Sequence, residues 1–148
     1  MKSDKPERKR SFKLKIEDDN NFKLFGISSH ENDYRLVWAI NNQLSYKFNR
    51  IQNVIIRDPK LKTDLEFSQY LYTDEDQYLS YYLISNRCPD GFLFPEIKNL
   101  DFLLQISGGI NDAHLTALIK SLKKISILSA IFIINPKKLR DADRILVH

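Results

Sequence analysis

The amino-acid sequence predicts an α+β fold, in which a single, mostly antiparallel sheet carries two helices on one face. Three observations predict this class. β-Prone runs are far more numerous than helical segments, and only two segments have a helical period. Most neighbouring β-prone runs are also joined by turns that are too short for a crossover.

The first predicted element is a β-hairpin that follows a tail. Residues 1–10 are polar and lack periodicity, which predicts a flexible basic tail, and residues 11–148 form a single α+β domain. Alternating apolar residues predict a strand at residues 12–16, and turn residues separate it from a return strand at residues 22–27. The apolar side of the first strand consists of Phe12, Leu14 and Ile16.

Helical periodicity predicts two helices. The first spans residues 31–46, and its apolar stripe includes Val37, Ile40 and Leu44. The second begins at a cap formed by Asn111 or Asp112, directly after a pair of glycines. Its apolar stripe consists of Leu115, Leu118, Ile119, Leu122 and Ile125.

β-Prone runs predict the remaining strands. Residues 51–56 form one strand, and residues 65–72 and 77–84 form an antiparallel hairpin around an acidic loop. The run 127–134 is apolar on both faces, which predicts a central strand. A right-handed crossover makes it parallel to a strand at residues 101–106. One further short strand is predicted at residues 92–94.

The formal net charge of +4 is concentrated at the N-terminus. Residues 1–15 hold seven cationic and two acidic side chains, a net charge of +5, so all other residues together sum to −1. A basic arm on a nearly neutral domain predicts that only the arm contacts phosphates, for example those of RNA. The alternative interpretation is that the arm is a solvated tail without a binding role. The candidate phosphate-contacting residues are Lys2, Lys5, Arg8, Lys9 and Arg10.

The cysteine and histidine content excludes several kinds of site. Cys88 is the only cysteine, so the chain cannot form an internal disulfide or a cysteine-rich zinc site. The three histidines lack metal-ligand spacing, and we predict no metal and no cofactor. An unpaired thiol, no signal peptide and no long apolar run predict a cytoplasmic protein without a membrane partner.

The segment Phe94-Pro95-Glu96-Ile97-Lys98-Asn99-Leu100-Asp101-Phe102 has the most distinctive pattern in the chain. It resembles the motif of the bacterial IPExxxVDY family, with identities at Pro95, Glu96 and Asp101 and with Phe102 in place of the motif's tyrosine. Residues 26–30, 33–36 and 81–86 are also similar to that family. The resemblance implies a soluble bacterial protein of the cytoplasm. Because the family has no assigned function, it implies no catalytic residue and no ligand.

Two interpretations of the motif carboxylates remain open. Glu96 and Asp101 could bind a cation or a basic partner. Alternatively, they could accept backbone N–H groups or pair with Arg35 or Arg87 as part of the fold. The apolar neighbours in the motif indicate partly buried surroundings, where carboxylates need partners, and this favours the structural interpretation.

Tyrosines crowd the predicted hairpin of residues 65–84. Cross-strand packing accounts for such a cluster, and a surface that receives a partner is the alternative. The acidic tip of the hairpin would repel nucleic acid, so a protein is the favoured partner for this surface. The candidate partner surface consists of Tyr70, Tyr72, Tyr78 and Tyr82.

These observations favour a non-enzymatic protein-interaction module with an unidentified protein partner. One alternative is an RNA-associated accessory factor that uses the basic arm. The other is an enzyme with Glu96 and Asp101 as its acid/base groups, although no assembled catalytic site is recognisable. The sequence predicts neither the partner's identity nor the oligomeric state.

Overall fold

The computed structural model describes residues 22–60 and 62–146, and its main element is a six-stranded sheet. The strands are β1 (Lys23–Ser28), β2 (Asn49–Asp58), β3 (Thr63–Asp74), β4 (Leu79–Ser85), β7 (Phe102–Ser107) and β8 (Ala130–Ile133). Their order is β2-β3-β4-β7-β1-β8, and every neighbouring pair is antiparallel. A separate two-stranded ribbon joins β5 (Arg87–Cys88) to β6 (Gly91–Phe92).

Two long helices in the described part of the chain cover one face of the sheet. They are α1 (Asp33–Leu44) and α2 (Asp112–Leu122), and a short α3 (Asp143–Leu146) follows near the C-terminus. Leu36 and Ile40 of α1 and Leu118 of α2 belong to the same apolar core as Phe25 and Leu104 of the sheet. The α+β class is therefore confirmed, with both long helices on one face. No helix among the described residues is long and apolar enough to cross a membrane.

Among the described residues, no long helix covers the second face of the sheet. Leu24 and Leu103 point to this side, because side chains alternate along a strand. They form a second core with Phe94 from the predicted motif and with Leu139 and Ile145 from the C-terminal segment. The motif and the C-terminus therefore make up the second covering layer.

The hairpin predicted at residues 65–72 and 77–84 is confirmed as β3 and β4. The central strand predicted at residues 127–134 is wrong for the sheet that the described residues form, because β8 is the last strand in its order. Its apolar character has another cause: Ile131 packs on the helix-covered core and Ile134 on the second core. The predicted parallel direction is correct, since β7 and β8 are both antiparallel to β1, which lies between them.

In the predicted N-terminal hairpin, the return strand at residues 22–27 corresponds to β1. Its first strand, residues 12–16, lies outside the described residues. β1 itself pairs with β7 along one edge and with β8 along the other. Because a strand has only two hydrogen-bonding edges, β1 is not available as a hairpin partner.

Gly26 allows the motif to pack against β1. A methyl group at Gly26 would lie 2.2 Å from Leu100 Cδ1 and 2.9 Å from Ile134 Cδ1. We expect Gly26→Ala to lower the free energy of unfolding by about 1–3 kcal/mol, because the added carbon overpacks this contact. Urea denaturation measures the change.

Leu100→Ala provides the control for this prediction, because it removes the atom that a methyl group at position 26 would meet. We expect the double variant Gly26→Ala/Leu100→Ala to lose less stability than the sum of the two single variants. Strict additivity would show that the two side chains are not in contact.

Candidate functional site

The predicted motif forms a loop between β6 and β7. Pro95 begins a single 3-10 turn, Pro95–Ile97, where its missing N–H removes no hydrogen bond and its fixed φ suits the helical geometry. Two further bonds tighten the loop: the N–H of Ile97 donates to Phe94 O (3.1 Å) and that of Leu100 to Ile97 O (2.9 Å). Phe102, the last motif residue, is buried in the helix-covered core.

Asn86, at the end of β4, fixes the conformation of this loop. Its fully buried side chain donates from Nδ2 to the carbonyls of Ile97 (3.1 Å) and Leu100 (3.0 Å) and accepts the N–H of Phe94 on Oδ1 (2.8 Å). Its backbone N–H donates to Asp101 O, and its carbonyl accepts the N–H of Leu93. The sequence did not identify this role, because an asparagine before a turn has the same pattern when it is exposed.

Asp101 is buried and has a partner on each carboxylate oxygen. Oδ2 accepts the backbone N–H of Ser29 at 2.8 Å, and Oδ1 forms an ion pair with the guanidinium of Arg87. The backbone N–H of Asp101 donates to Ile27 O at 2.8 Å. Asp101 therefore connects the chain after β1 to β5, which is the geometry of the structural interpretation.

Glu96 attaches the C-terminal segment to the motif. Its Oε2 accepts the backbone N–H of Arg140 at 2.8 Å. Partial desolvation opposes ionisation of Glu96. The backbone N–H groups of Arg140 and Glu96 and the positive charges of Arg140 and Arg144 outweigh it and lower the pKa of Glu96 below its ordinary value. This carboxylate is thus ionised at neutral pH.

The two motif carboxylates line different clefts. The apolar cleft has a volume of about 800 Å³ and lies between the motif, the strands β1 and β8, and the C-terminal segment. The polar cleft has a volume of about 450 Å³ and lies at the start of α1. Glu96 lines the first and Asp101 the second, so the structure does not combine them in one acid/base site.

The polar cleft contains His30 and Cys88 together with paired charged groups. Arg50 donates to Asn53 Oδ1 (2.7 Å), and Asn53 in turn donates to Glu66 Oε1 (3.0 Å). Cys88 also packs against the second core. Within the described residues, no group of three or more histidine, cysteine or carboxylate side chains could hold a metal ion.

The four candidate tyrosines do not form one surface, so the predicted tyrosine surface is corrected. Tyr70 is buried among core residues under the helices, and Tyr72 stacks on Tyr46 with ring centroids 4.4 Å apart. Tyr82 points to the opposite face with the second core. Tyr78 is 86% exposed at the hairpin turn, where its φ is +57°. Alternation along the strands and the left-handed turn separate the four side chains.

The tyrosines on the helix-covered face form an aromatic cluster instead. Tyr81 lies at its centre, fully buried, with its ring 5.1 Å from that of Tyr46 and 5.3 Å from that of Tyr72. Burial raises the pKa of Tyr81, and its hydroxyl meets the Tyr46 hydroxyl at 3.4 Å. Cross-strand packing of Tyr72 against Tyr81, with Tyr46 added from the loop before β2, accounts for this cluster.

An exposed aromatic pair lies on the outer face of α1. Trp38 is the only tryptophan of the chain and is 70% exposed, and Tyr34, one turn earlier, is 62% exposed. The same helix buries Leu36, Val37 and Ile40. The sequence did not reveal this pair, because the periodic pattern showed which side of the helix is apolar but not that two aromatic residues on the other side stay uncovered.

No known protein family, curated protein or solved structure matches this chain. The resemblance to the IPExxxVDY family stays a prediction. The basic-arm residues Lys2, Lys5, Arg8, Lys9 and Arg10 lie outside the described residues.

Asn86 and Asp101 both stabilise the motif, but their substitutions leave different hydrogen-bonding groups without a partner. We expect Asn86→Asp to lower the free energy of unfolding by about 3 kcal/mol or more, because the buried site would lose two donors and gain a charge. Asp101→Asn should lower it by about 1 kcal/mol, because the amide oxygen can still accept the N–H of Ser29 and the half-exposed Arg87 can turn to water.

Urea denaturation of both variants at neutral pH measures these changes. A larger loss for Asp101→Asn than for Asn86→Asp would contradict the central role of Asn86.

The lowered pKa of Glu96 predicts an acid-dependent contribution to stability. Because the folded-state pKa is below 4.5, ionised Glu96 stabilises the fold fully above that pH, and the contribution disappears as the pH falls through the folded-state pKa. The stability advantage of the native chain over Glu96→Gln should therefore shrink on acidification. Denaturation of both proteins from pH 7 to pH 3 measures this difference in stability. Glu75→Gln, on an exposed turn, controls for the change in net charge, and a pH-independent advantage would refute the prediction.

Proposed function

We propose that this protein is an interaction module that binds a partner protein through the outer face of α1. One observation supports the proposal: the only tryptophan of the chain is 70% exposed, one helical turn from a tyrosine that is 62% exposed. Tryptophan is usually well buried in folded proteins. Tryptophan and tyrosine are also the residues that most often dominate the binding energy of protein interfaces.

The helix presents the aromatic pair on a rigid support. Leu36, Val37 and Ile40 anchor the opposite side of α1 in the core, so the backbone of the helix is ordered before a partner binds. Little backbone entropy is then lost on binding. The Arg35–Glu31 ion pair, at 3.2 Å, lies exposed beside Tyr34 and provides a polar rim.

Two alternative functions remain as weaker proposals. One is RNA binding through the basic arm, and nuclease treatment distinguishes it from protein binding. An enzyme with Glu96 and Asp101 as acid/base groups has less support, because each carboxylate already has partners and each lines a different cleft.

The proposal predicts the result of affinity purification from native lysate. The tagged native chain should retain one protein in stoichiometric amount, before and after nuclease treatment. Trp38→Ala and Tyr34→Ala should each reduce that recovery at least about tenfold, as expected for residues worth 1.4 kcal/mol or more in an interface.

Tyr78→Ala is the matched control, since it removes another exposed aromatic side chain far along the chain, at the β3–β4 turn. It should leave recovery unchanged. Loss of the partner in Tyr78→Ala but not in Trp38→Ala would reject the α1 surface. Recovery that disappears with nuclease would favour the RNA alternative.

A further inference from the structure

We propose that residues 135–146 form a C-terminal strap that opens as one unit while the sheet stays folded, and that its opening uncovers an apolar groove on the second face. The strap consists of a 3-10 turn, Pro136–Lys138, and the short helix α3. It acts as an autoinhibitory element, because any ligand of the groove has to displace it. The proposal concerns the face opposite α1 and does not depend on the proposed function.

The hydrogen bonds inside the strap are local. In the 3-10 turn, Asn135 Oδ1 accepts the N–H of Lys137 at 3.0 Å. In α3, the N–H of Ile145 donates to Ala142 O at 3.1 Å. A helix this short is not stable by itself, so the strap keeps its conformation only while it is packed on the rest of the protein.

Two apolar side chains anchor the strap, one in each half. Leu139 is buried and Ile145 is fully buried, and both belong to the second core. The same core contains Leu93 and Phe94, which precede the 3-10 turn of the motif and are almost completely buried. Opening of the strap would therefore expose an apolar surface that the closed strap covers.

Two hydrogen bonds connect the strap to the chain around the motif. Glu96 Oε2 accepts the backbone N–H of Arg140 at 2.8 Å, and the guanidinium of Arg144 donates to Leu93 O. Glu96 is exposed and the Arg144 side chain is partly exposed. Because water can replace hydrogen bonds at such positions at a small net cost, these bonds position the strap without preventing its opening.

The strap also lines two separate clefts. Pro136, Lys138 and Leu139 line the apolar cleft. Asp143 and Arg144 line a further cleft of about 570 Å³ along the middle of β2. A segment that borders a cleft has fewer packing contacts than one enclosed by protein. Because the strap contributes to both clefts, its displacement would join them into one groove.

The balance of these contributions favours opening of the strap before the sheet. Ordering a segment of this length costs conformational entropy, which two apolar anchors and a few hydrogen bonds offset only narrowly. The strand β7, by contrast, pairs with β1 along one edge and with β4 along the other. Segments with few buried contacts open locally at a smaller free-energy cost than that of global unfolding.

The test is amide hydrogen exchange of the full chain, followed residue by residue with NMR. Leu139, Arg140 and Ile145 report on the strap, and Leu104 in β7 reports on the sheet. We expect the three strap amides to share one opening constant and to exchange at least about a hundredfold faster than Leu104, relative to their unfolded rates. Strap amides that exchange as slowly as Leu104 would overturn the proposal.

Ile145→Val and Ile40→Val form a matched pair, because each removes one methyl group from an almost completely buried isoleucine. Ile145→Val should speed exchange about two- to tenfold at all three strap amides, including Leu139 and Arg140. Ile40→Val, in the helix-covered core, should speed exchange of Leu104 by a similar factor and leave the strap amides unchanged, because local opening does not disrupt that core.

Two results with this pair would overturn the proposal. If Ile40→Val speeds the strap amides as much as Leu104, the strap opens only when the whole protein unfolds. If Ile145→Val affects α3 but not Leu139 and Arg140, the chain end frays and the strap is not one unit.

A second variant tests the groove. Ile145→Asp should hold the strap open, because a carboxylate is unfavourable in an apolar core. The fluorescence of 8-anilinonaphthalene-1-sulfonate, a probe of exposed apolar surface, should rise at least about fivefold while Leu104 stays protected. Ile55→Asp is the control, since it introduces the same charge at a residue of β2 that is already exposed. No rise in Ile145→Asp, an equal rise in Ile55→Asp, or loss of Leu104 protection in Ile145→Asp would overturn the proposal.

Discussion

The loop between β4 and β7 has to leave the sheet, cover its second face and return to the neighbouring strand, and the amide of Asn86 makes this path stable. A loop of this shape cannot pair all of its own backbone groups, and buried unpaired groups would destabilise it. Asn86 satisfies the Phe94 N–H and the carbonyls of Ile97 and Leu100 from one side chain. Phe94 and Leu100 are thereby held over the sheet as part of its covering layer.

The motif carboxylates extend this arrangement to the rest of the chain. Asp101 holds Ser29, four residues before α1 begins, and Glu96 holds Arg140 in the C-terminal segment. The loop therefore connects the start of α1, the ribbon of β5 and β6, and the C-terminus. Carboxylates that are committed to these bonds have little freedom for acid/base chemistry.

The exposed apolar surfaces of the described residues are the places where apolar side chains are left over after both cores are filled. The sheet needs Leu36, Val37 and Ile40 from α1, which forces Tyr34 and Trp38 to the solvent side of the same helix. At the end of the described sheet, Ile131 of β8 packs on one core and Ile134, the residue after β8, packs on the other, while Phe132 and Ile133 stay exposed. The same packing that stabilises the fold thus exposes its two apolar surfaces.

The sequence by itself determined the fold class, both long helices and the central hairpin, because these depend on local periodicity and turn chemistry. The cap at Asn111, which accepts the His114 N–H at 2.7 Å, is one such local signal. Tertiary structure alone decided the position of β8, since an apolar run looks the same in a central strand and in an edge strand that touches two cores. It also decided that Tyr70 is buried while Tyr78 is exposed, and that Asn86 organises the motif. These outcomes depend on strand order and on contacts between residues far apart in sequence, which no local pattern encodes.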